Sequence, residues 1–355
     1  MDGRRTRWTN CTLGDVMTLK RGHDLPVQRR QPGDVPIVSS SGVTGFHTES
    51  KAGAPGVVTG RYGTLGEVYF VRRAFWPLNT ALYVTDFRGN DPRFVSYFLK
   101  NAIRDYGGDK AAVPGVDRNV LHRLNVCVPD RASQERIAEL LSSYDDLIEN
   151  NRRRIVLLEQ AARELYREWF VRLHFPGAES TRIVDGVPYG WKRVALEEIG
   201  QLRYGRALKA EDRIDGDFPV YGSSGVVGTH DTPHIRGPGI IVGRKGNVGS
   251  VYWSHSDFCA IDTVYYVEPS SVTLFLYHTL KNIDFINTDV AVPGLNRILA
   301  HSREFLLPTT DAQDAFHKVV QSEHRQMALL RRENIVLECA RDLLLPRLMS
   351  GKVAV

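Results

Sequence analysis

Several chemistries are excluded by what this sequence does not contain. Its four cysteines, Cys11, Cys127, Cys259 and Cys339, are scattered, and none forms a Cys-x-x-Cys pair. There is no zinc-ligand spacing and no disulfide framework to argue for, and a reduced, cytoplasmic setting is expected. No apolar run approaches the ~20 residues that span a bilayer. The opening MDGRRTRWTN is basic with no apolar stretch behind it, so no signal peptide is expected. Catalytic signatures are missing as well: there is no GxxxxGK[ST], no HExxH and no GxSxG. Nor is there an Asn/Asp-Pro-Pro-aromatic run of the kind amino-methyltransferases carry, since Asp91-Pro92-Arg93-Phe94 is not one. The expectation is a chain that does no chemistry itself and holds neither metal nor cofactor.

What is present begins with an uneven positive charge. The net is +5, but residues 1–130 hold 18 Lys/Arg against 12 Asp/Glu, while residues 191–308 hold 12 against 13. A polyanionic partner is hinted at for the first stretch and would need local basic loops in the second. The stronger signal is an internal repeat. Trp8–His47 matches Trp191–His230 without a gap at a constant offset of 183, including Gly22/Gly205, Gly33-Asp34/Gly216-Asp217 and His47/His230. The same offset carries PGVVTGRYGTLGEVYF onto PGIIVGRKGNVGSVYW. Ala-Val-Pro-Gly then recurs, Ala112–Gly115 and Ala291–Gly294, at an offset of 179 that also relates Gln134 to Gln313. The order is therefore domain, helix, linker, domain, helix: 1–130, 131–172, 173–190, 191–308 and 309–351.

The helices are read from periodicity. Ile137, Leu141, Tyr144, Ile148, Asn151, Ile155, Leu158, Ala162, Leu165 and Trp169 fall at alternating steps of four and three, a heptad seam free of proline and glycine from Gln134 to Val171. Phe316, Val320, Met327, Leu330, Asn334, Leu337, Leu344 and Leu348 repeat it, with Glu323 and Arg341 as polar interruptions. A helix of about 37 residues is roughly 55 Å long and needs a partner for its outer half, unless each simply packs on its own domain. Paired antiparallel, Ile137 faces Leu348, Leu158 faces Met327, Leu165 faces Val320, and the one asparagine on each seam, Asn151 and Asn334, meet. Two amides that satisfy each other fix a register.

The domains themselves read as short β-rich runs with one helix each, Arg93–Arg104 and Val272–Asn282, hence compact mixed α/β units. Gly60-Arg61-Tyr62-Gly63 and Gly243-Arg244-Lys245-Gly246 sit between apolar strands. A strand rather than a helix follows the glycines, so these are hairpin tips and not nucleotide loops. A basic side chain there suits a phosphate or a guanine edge, and equally a plain solvated turn. Ser40-Ser41 and Ser223-Ser224 are polar turns whose hydroxyls and amides suit phosphates, or turn chemistry only. The Val-Pro-Gly loops lead into Arg118 and into Asn296-Arg297, candidates for base reading or for internal ion pairs. His47 and His230 read as structural. Few aromatic platforms look exposed, which argues against an RNA-binding module.

Together these parts resemble the specificity (S) subunit of type I restriction–modification systems. The likeness is carried by GPGIIVGRKGNVG (Gly237–Gly249), Phe75–Thr80 and Phe258–Thr263, Val292–Arg297, Gln134–Ala138 through Val171, and LLLPRLMSG (Leu343–Gly351). The resemblance implies two similar target-recognition domains, mixed α+β, separated by a long antiparallel two-helix coiled coil, a pseudo-twofold internal duplication. It implies a non-catalytic subunit reading a bipartite, asymmetric double-stranded DNA target. Two adenine-methyltransferase subunits would dock on the helices and support restriction subunits, S-adenosylmethionine belonging to the methyltransferase and not to this chain. DNA contacts would come from Arg61, Tyr62, Gly63, Ser40, Ser41, Arg118, Arg244, Lys245, Gly246, Ser223, Ser224, Asn296 and Arg297. A type IIB-like specificity subunit shares the architecture, and a protein-binding scaffold is the alternative from another class.

Overall fold

The computed structural model describes residues 7–62, 66–104, 116–285 and 294–355. They form two compact units: residues 1–150 with 333–355, and residues 151–332. In the first unit β1 (Trp8–Thr12) leads into α1 (Leu13–Val16), β2 (Thr18–Arg21), β3 (Val35–Ser39), β4 (Gly42–His47), β5 (Gly56–Gly60), β6 (Val68–Val71), β7 (Trp76–Pro77) and β8 (Ala81–Asp86). The helices α2 (Pro92–Ala102) and α3 (Arg118–His122) and strand β9 (Asn125–Pro129) follow. An antiparallel sheet has the order β2-β8-β5-β6, a second sheet the order β4-β3-β7, and β1 pairs with β9. Every residue of β5, Gly-Val-Val-Thr-Gly, is buried, as the unbroken apolar run demands of a central strand. Asp91 caps α2 through the Phe94 amide at 2.8 Å, with Pro92 opening the helix.

The second unit repeats this plan. Its elements are β10 (Ile183–Val184), β11 (Val187–Pro188), β12 (Lys192–Ala195), α5 (Leu196–Ile199), β13 (Leu202–Tyr204), β14 (Phe218–Gly222), β15 (Gly225–His230), β16 (Gly239–Gly243), β17 (Val251–Ser254), β18 (Cys259–Ala260), β19 (Val264–Val267), α6 (Leu274–Asn282), α7 (Arg297–His301) and β20 (Glu304–Leu307). The sheets β13-β19-β16-β17 and β15-β14-β18 and the pair β12-β20 match those of the first unit strand for strand. The repeated glycines have a steric cause. A Cβ at Gly22 would stand 2.1 Å from the Leu78 carbonyl oxygen, and one at Gly205 2.0 Å from that of Ile261. His47 and His230 are structural in both copies: each Nδ1 accepts an amide, from Gln31 and Ile214, at 3.1 Å.

Two long helices, α4 (Arg131–Tyr166) and α8 (Thr310–Met349), contribute to both units. In the first unit Ile137, Ala138 and Leu141 of α4 share a core with Leu345, Leu348 and Met349 of α8. Asp145 accepts from Arg341 at 2.6 Å while Arg136 reaches the Val355 carbonyl at 3.1 Å, so the segments run antiparallel. In the second unit Ala162, Tyr166, Phe316 and Val320 are packed in one core, with Leu165 and Trp169 against it. The seam residues Ile148, Asn151, Met327, Leu330 and Asn334 are buried, and Leu158 and Leu337 partly so.

Two expectations are corrected, the end of the first helix and the seam position at Glu323, and the linker and α8 each add a detail. The first helix ends at Tyr166, and Arg167–Val171 form a π-helical turn. At the polar interruption of α8, His324 rather than Glu323 occupies the buried position, one residue on. The linker is not plain loop: β10 and β11 make a small hairpin, turned by Asp185-Gly186 with positive φ at both. Finally, α8 continues through Pro346 to Met349.

Candidate DNA-recognition loops

The glycine-basic segments lie in hairpin connections, as the apolar strands on either side predict. They are longer than tight tips: residues 61–67 join β5 to β6, and residues 244–250 join β16 to β17. Gly63 lies outside the described residues. Backbone bonds tie each loop to the segment after Val-Pro-Gly. The Val116 amide donates to the Arg61 carbonyl at 2.9 Å, and the Leu295 amide to the Arg244 carbonyl at 2.8 Å. Lys245 and Gly294 add an antiparallel bridge. Two segments 55 residues apart in the first unit and 51 in the second are thus one surface in each, bringing Arg61 and Tyr62 to Val116 and Arg244 and Lys245 to Leu295.

The serine turns differ between units. Ser40-Ser41 and Ser223-Ser224 each close a two-residue hairpin, with Ser39 opposite Gly42 and Gly222 opposite Gly225. In the first unit the hydroxyls of Ser39 and Ser41 are 3.0 Å apart and the Ser41 amide donates to Ser39 Oγ, so turn chemistry occupies them. In the second unit Ser250 Oγ and the Tyr252 hydroxyl donate to the Ser223 carbonyl, at 2.7 and 3.1 Å. A Cβ at Gly246 would stand 3.2 Å from Ser223 Oγ. Here the serine turn and the basic loop adjoin.

The side chains after Val-Pro-Gly divide their roles. Asn296 Oδ1 accepts from the Ile298 and Leu299 amides, and Asp117 Oδ1 from the Asn119 amide, so each caps a short helix. Only the Asn296 amide nitrogen is left for a ligand. Arg118 and Arg297 form no ion pair among the described residues. Instead the Arg297 guanidinium lies 5.1 Å from the Tyr204 ring and that of Arg244 4.9 Å from the same ring. Arg61 lies 4.5 Å from the Tyr62 ring. Tyr62 is 42% and Tyr204 48% exposed, so aromatic platforms do exist here, contrary to the expectation from sequence. Tyr204 carries no motif; only its strand register opposite Tyr265 places it.

A second pair was legible only after folding. His122 Nε2 accepts the Leu19 amide at 2.9 Å, and His301 Nε2 the Leu202 amide at 3.0 Å. Burial pushes both imidazoles below their ordinary pKa, which keeps them neutral acceptors. They clamp α3 and α7, the short helices whose first residues are Arg118 and Arg297. No group of three metal-capable side chains occurs among the described residues, and no helix is long and apolar enough to cross a membrane.

Comparison with known proteins agrees with this arrangement. The family model described as "Type I restriction modification DNA specificity domain" matches residues 6–160 and 188–296. The MjaIX specificity subunit of Methanocaldococcus jannaschii is 21% identical over 305 residues, covering 74% of this chain and 68% of its own. The HindI specificity subunit of Haemophilus influenzae is 22% identical over 327 residues, covering 68% and 71%. The crystal structure of the type I restriction–modification S subunit from M. genitalium superposes with a TM-score of 0.61 at 19% identity, covering 98% of this chain and 97% of that one. That match is of fold, while the family model covers well over half the sequence, once on each copy of the repeat: the chain belongs to the family of type I restriction–modification DNA specificity proteins.

Proposed function

We infer that this chain is the sequence-reading subunit of a type I restriction–modification complex, each unit reading one half of a bipartite, asymmetric DNA target. The observation that carries the reading is the twofold recurrence of one construction: a basic hairpin loop tied through its backbone to an arginine-bearing segment. Within it Arg61, Tyr62, Ser40, Ser41 and Arg118 serve one half-site. Arg244, Lys245, Gly246, Ser223, Ser224, Asn296 and Arg297 serve the other. Gly63 belongs to the first set by its place in the repeat. The two sets differ in charge and in ring placement, which supports halves of different sequence.

The helices are the docking surface for adenine-methyltransferase subunits, two per chain, which bind S-adenosylmethionine and in turn carry the restriction subunits. Large apolar side chains on their outer faces support this. Leu147, Ile335, Val336 and Leu343 in the first unit and Val156, Leu157, Val319 and Leu329 in the second are each at least 44% exposed. Unpaired apolar surface of this extent on a helix is the mark of a partner. The complex acts in the cytoplasm, and this subunit contributes recognition without catalysis.

The test is methylation profiling of DNA from cells carrying this chain with its methyltransferase, joined to binding at graded salt. One bipartite motif is expected, with affinity falling steeply as salt rises because phosphate contacts release counterions. Arg61→Ala and Arg244→Ala should each relax a different half. A flat salt response, or no preference among sequences, rejects the reading.

A further inference from the structure

Tyr204 is an exposed aromatic residue on β13, next to the recognition loops but outside them. Its ring is shared by two guanidinium groups, Arg244 at 4.9 Å and Arg297 at 5.1 Å, from segments 53 residues apart. Tyr265, opposite it in the sheet, lies 5.1 Å away at 63° and is 5.8 Å from Arg244. The Tyr265 hydroxyl donates to the Leu295 carbonyl at 2.9 Å, fixing the ring to the segment that carries Arg297. One nitrogen of Arg244 is already spent on the Asp262 carbonyl at 3.0 Å. Its guanidinium is therefore held by two rings and one hydrogen bond.

Among the described residues the first unit shows no such arrangement. At the repeat offset Tyr204 corresponds to Arg21, which pairs with Asp24 at 3.7 Å, and Tyr265 corresponds to Leu82. Among the described residues a single ring, Tyr62, carries a single arginine there, and none lies on Arg118. The bound ligand must account for that difference. A phosphate needs positive charge, and Lys245, exposed beside Arg244, supplies it without any ordering of planes. A phosphate can take an arginine fork too, but it accepts from any direction, whereas the guanine edge presents O6 and N7 in one plane in the major groove and so gains most from a guanidinium held in place.

We propose that Tyr204 is a positioning residue that holds Arg244 and Arg297 as a double fork for guanine, so that the half-site read by the second unit contains at least one G·C pair recognised through N7 and O6. The proposal builds on the DNA-reading function above and assigns a base to it. The ring face does the work, so the hydroxyl is dispensable.

The experiment uses the complex with its methyltransferase and duplexes of the profiled motif, with guanines of one half-site replaced by 7-deazaguanine, which lacks the N7 acceptor. Wild type should lose about 10- to 100-fold in affinity when the second unit's half-site carries the analogue. Tyr204→Phe should behave as wild type. Tyr204→Leu should bind the natural duplex as weakly as the substituted one, while still discriminating the first half-site, which also reports that it is folded. Arg297→Lys is the second variant, preserving charge but not the plane, and should show the same loss. Insensitivity of the wild type to 7-deazaguanine in that half-site overturns the proposal. So does a Tyr204→Leu or Arg297→Lys variant that keeps full discrimination, or that weakens all sequences equally. Failure of the wild type to prefer its motif at all rejects the DNA-reading function instead, and with it this inference.

Discussion

The two units hold their recognition domain to the long helices at the same place by different chemistry. Aligning Leu99-Lys100-Asn101 with Leu280-Lys281-Asn282 sets Tyr97 of α2 against His278 of α6, and the helix offset of 179 sets Asp145 against His324. In the first unit the Tyr97 hydroxyl donates to Asp145, which also accepts from Arg341 at 2.6 Å. In the second, the Nε2 atoms of His278 and His324 lie 3.3 Å apart, both side chains buried, and Ala162 stands where Arg341 does. A contact between two imidazoles can hold only one N–H···N bond, and neither Nδ1 has a hydrogen-bond partner among the described residues. The same fold thus has a charged clasp in one copy and a neutral, under-satisfied one in the other. The duplication preserved the contact point and not the means of satisfying it.

Acid should separate the units most. Burial, then the neighbouring His324, pushes His278 down to about 3, and burial, then His255, pushes His324 down to about 4. In the unfolded chain both return to about 6.5, so the unfolded state takes up protons first as pH falls. The second unit should lose stability from about pH 6.5 downward until the folded values are reached. The loss is on the order of 3–5 kcal/mol by pH 4.5, which hydrogen exchange in α6, referenced to intrinsic rates and set against α2, would measure. Replacing both histidines by leucine should shrink that slope to the share of His255, which burial also pushes down to about 4, and leave neutral-pH stability unchanged or raised, since two unsatisfied nitrogens leave the core. A slope left undiminished by the double variant places the acid sensitivity elsewhere.

Next in size come Gly22→Ala and Gly205→Ala. Each Cβ would meet a backbone carbonyl oxygen that cannot swing away, so both should cost about 3 kcal/mol in urea unfolding, nearly equally. A large inequality would mean that the two sheets differ in rigidity. Arg341→Ala should cost about 2 kcal/mol, because Asp145 then keeps only the Tyr97 hydroxyl; its counterpart in the other unit is already alanine. Smallest are Leu343→Ser and Leu329→Ser, which should move stability by less than about 0.5 kcal/mol. Co-purification with the methyltransferase should drop for both, and its persistence would remove the outer helix faces from the docking surface.

Much of this was legible before folding, and the repeat is why. A constant offset fixes two copies of one topology, and a four-three seam places Ile137, Ala162 and Leu348 inward whatever they touch. The loops at Arg61 and Arg244 were legible because glycine and a basic residue between apolar strands leave few conformations. Tyr204 was not, because an aromatic residue on a short strand looks the same whether it faces the core or a ligand; only pairing with Tyr265 decides. His324 was missed by one residue because its neighbour Glu323 fits the seam equally well in sequence, and only packing against Trp253 and Tyr277 selects it. Asn296 was read for its amide, but its position before α7 makes its oxygen a cap first.

The bonds from Val116 to Arg61 and from Leu295 to Arg244 run through main-chain atoms alone. This link in each reading head therefore does not depend on which side chains stand at the four positions it joins. Substitutions at these positions can change what is read without changing how the loop is built, and the cost of exploring a new target falls on affinity for the old one rather than on folding. A scaffold of this kind retargets by exchanging letters on a fixed typeface, one unit at a time.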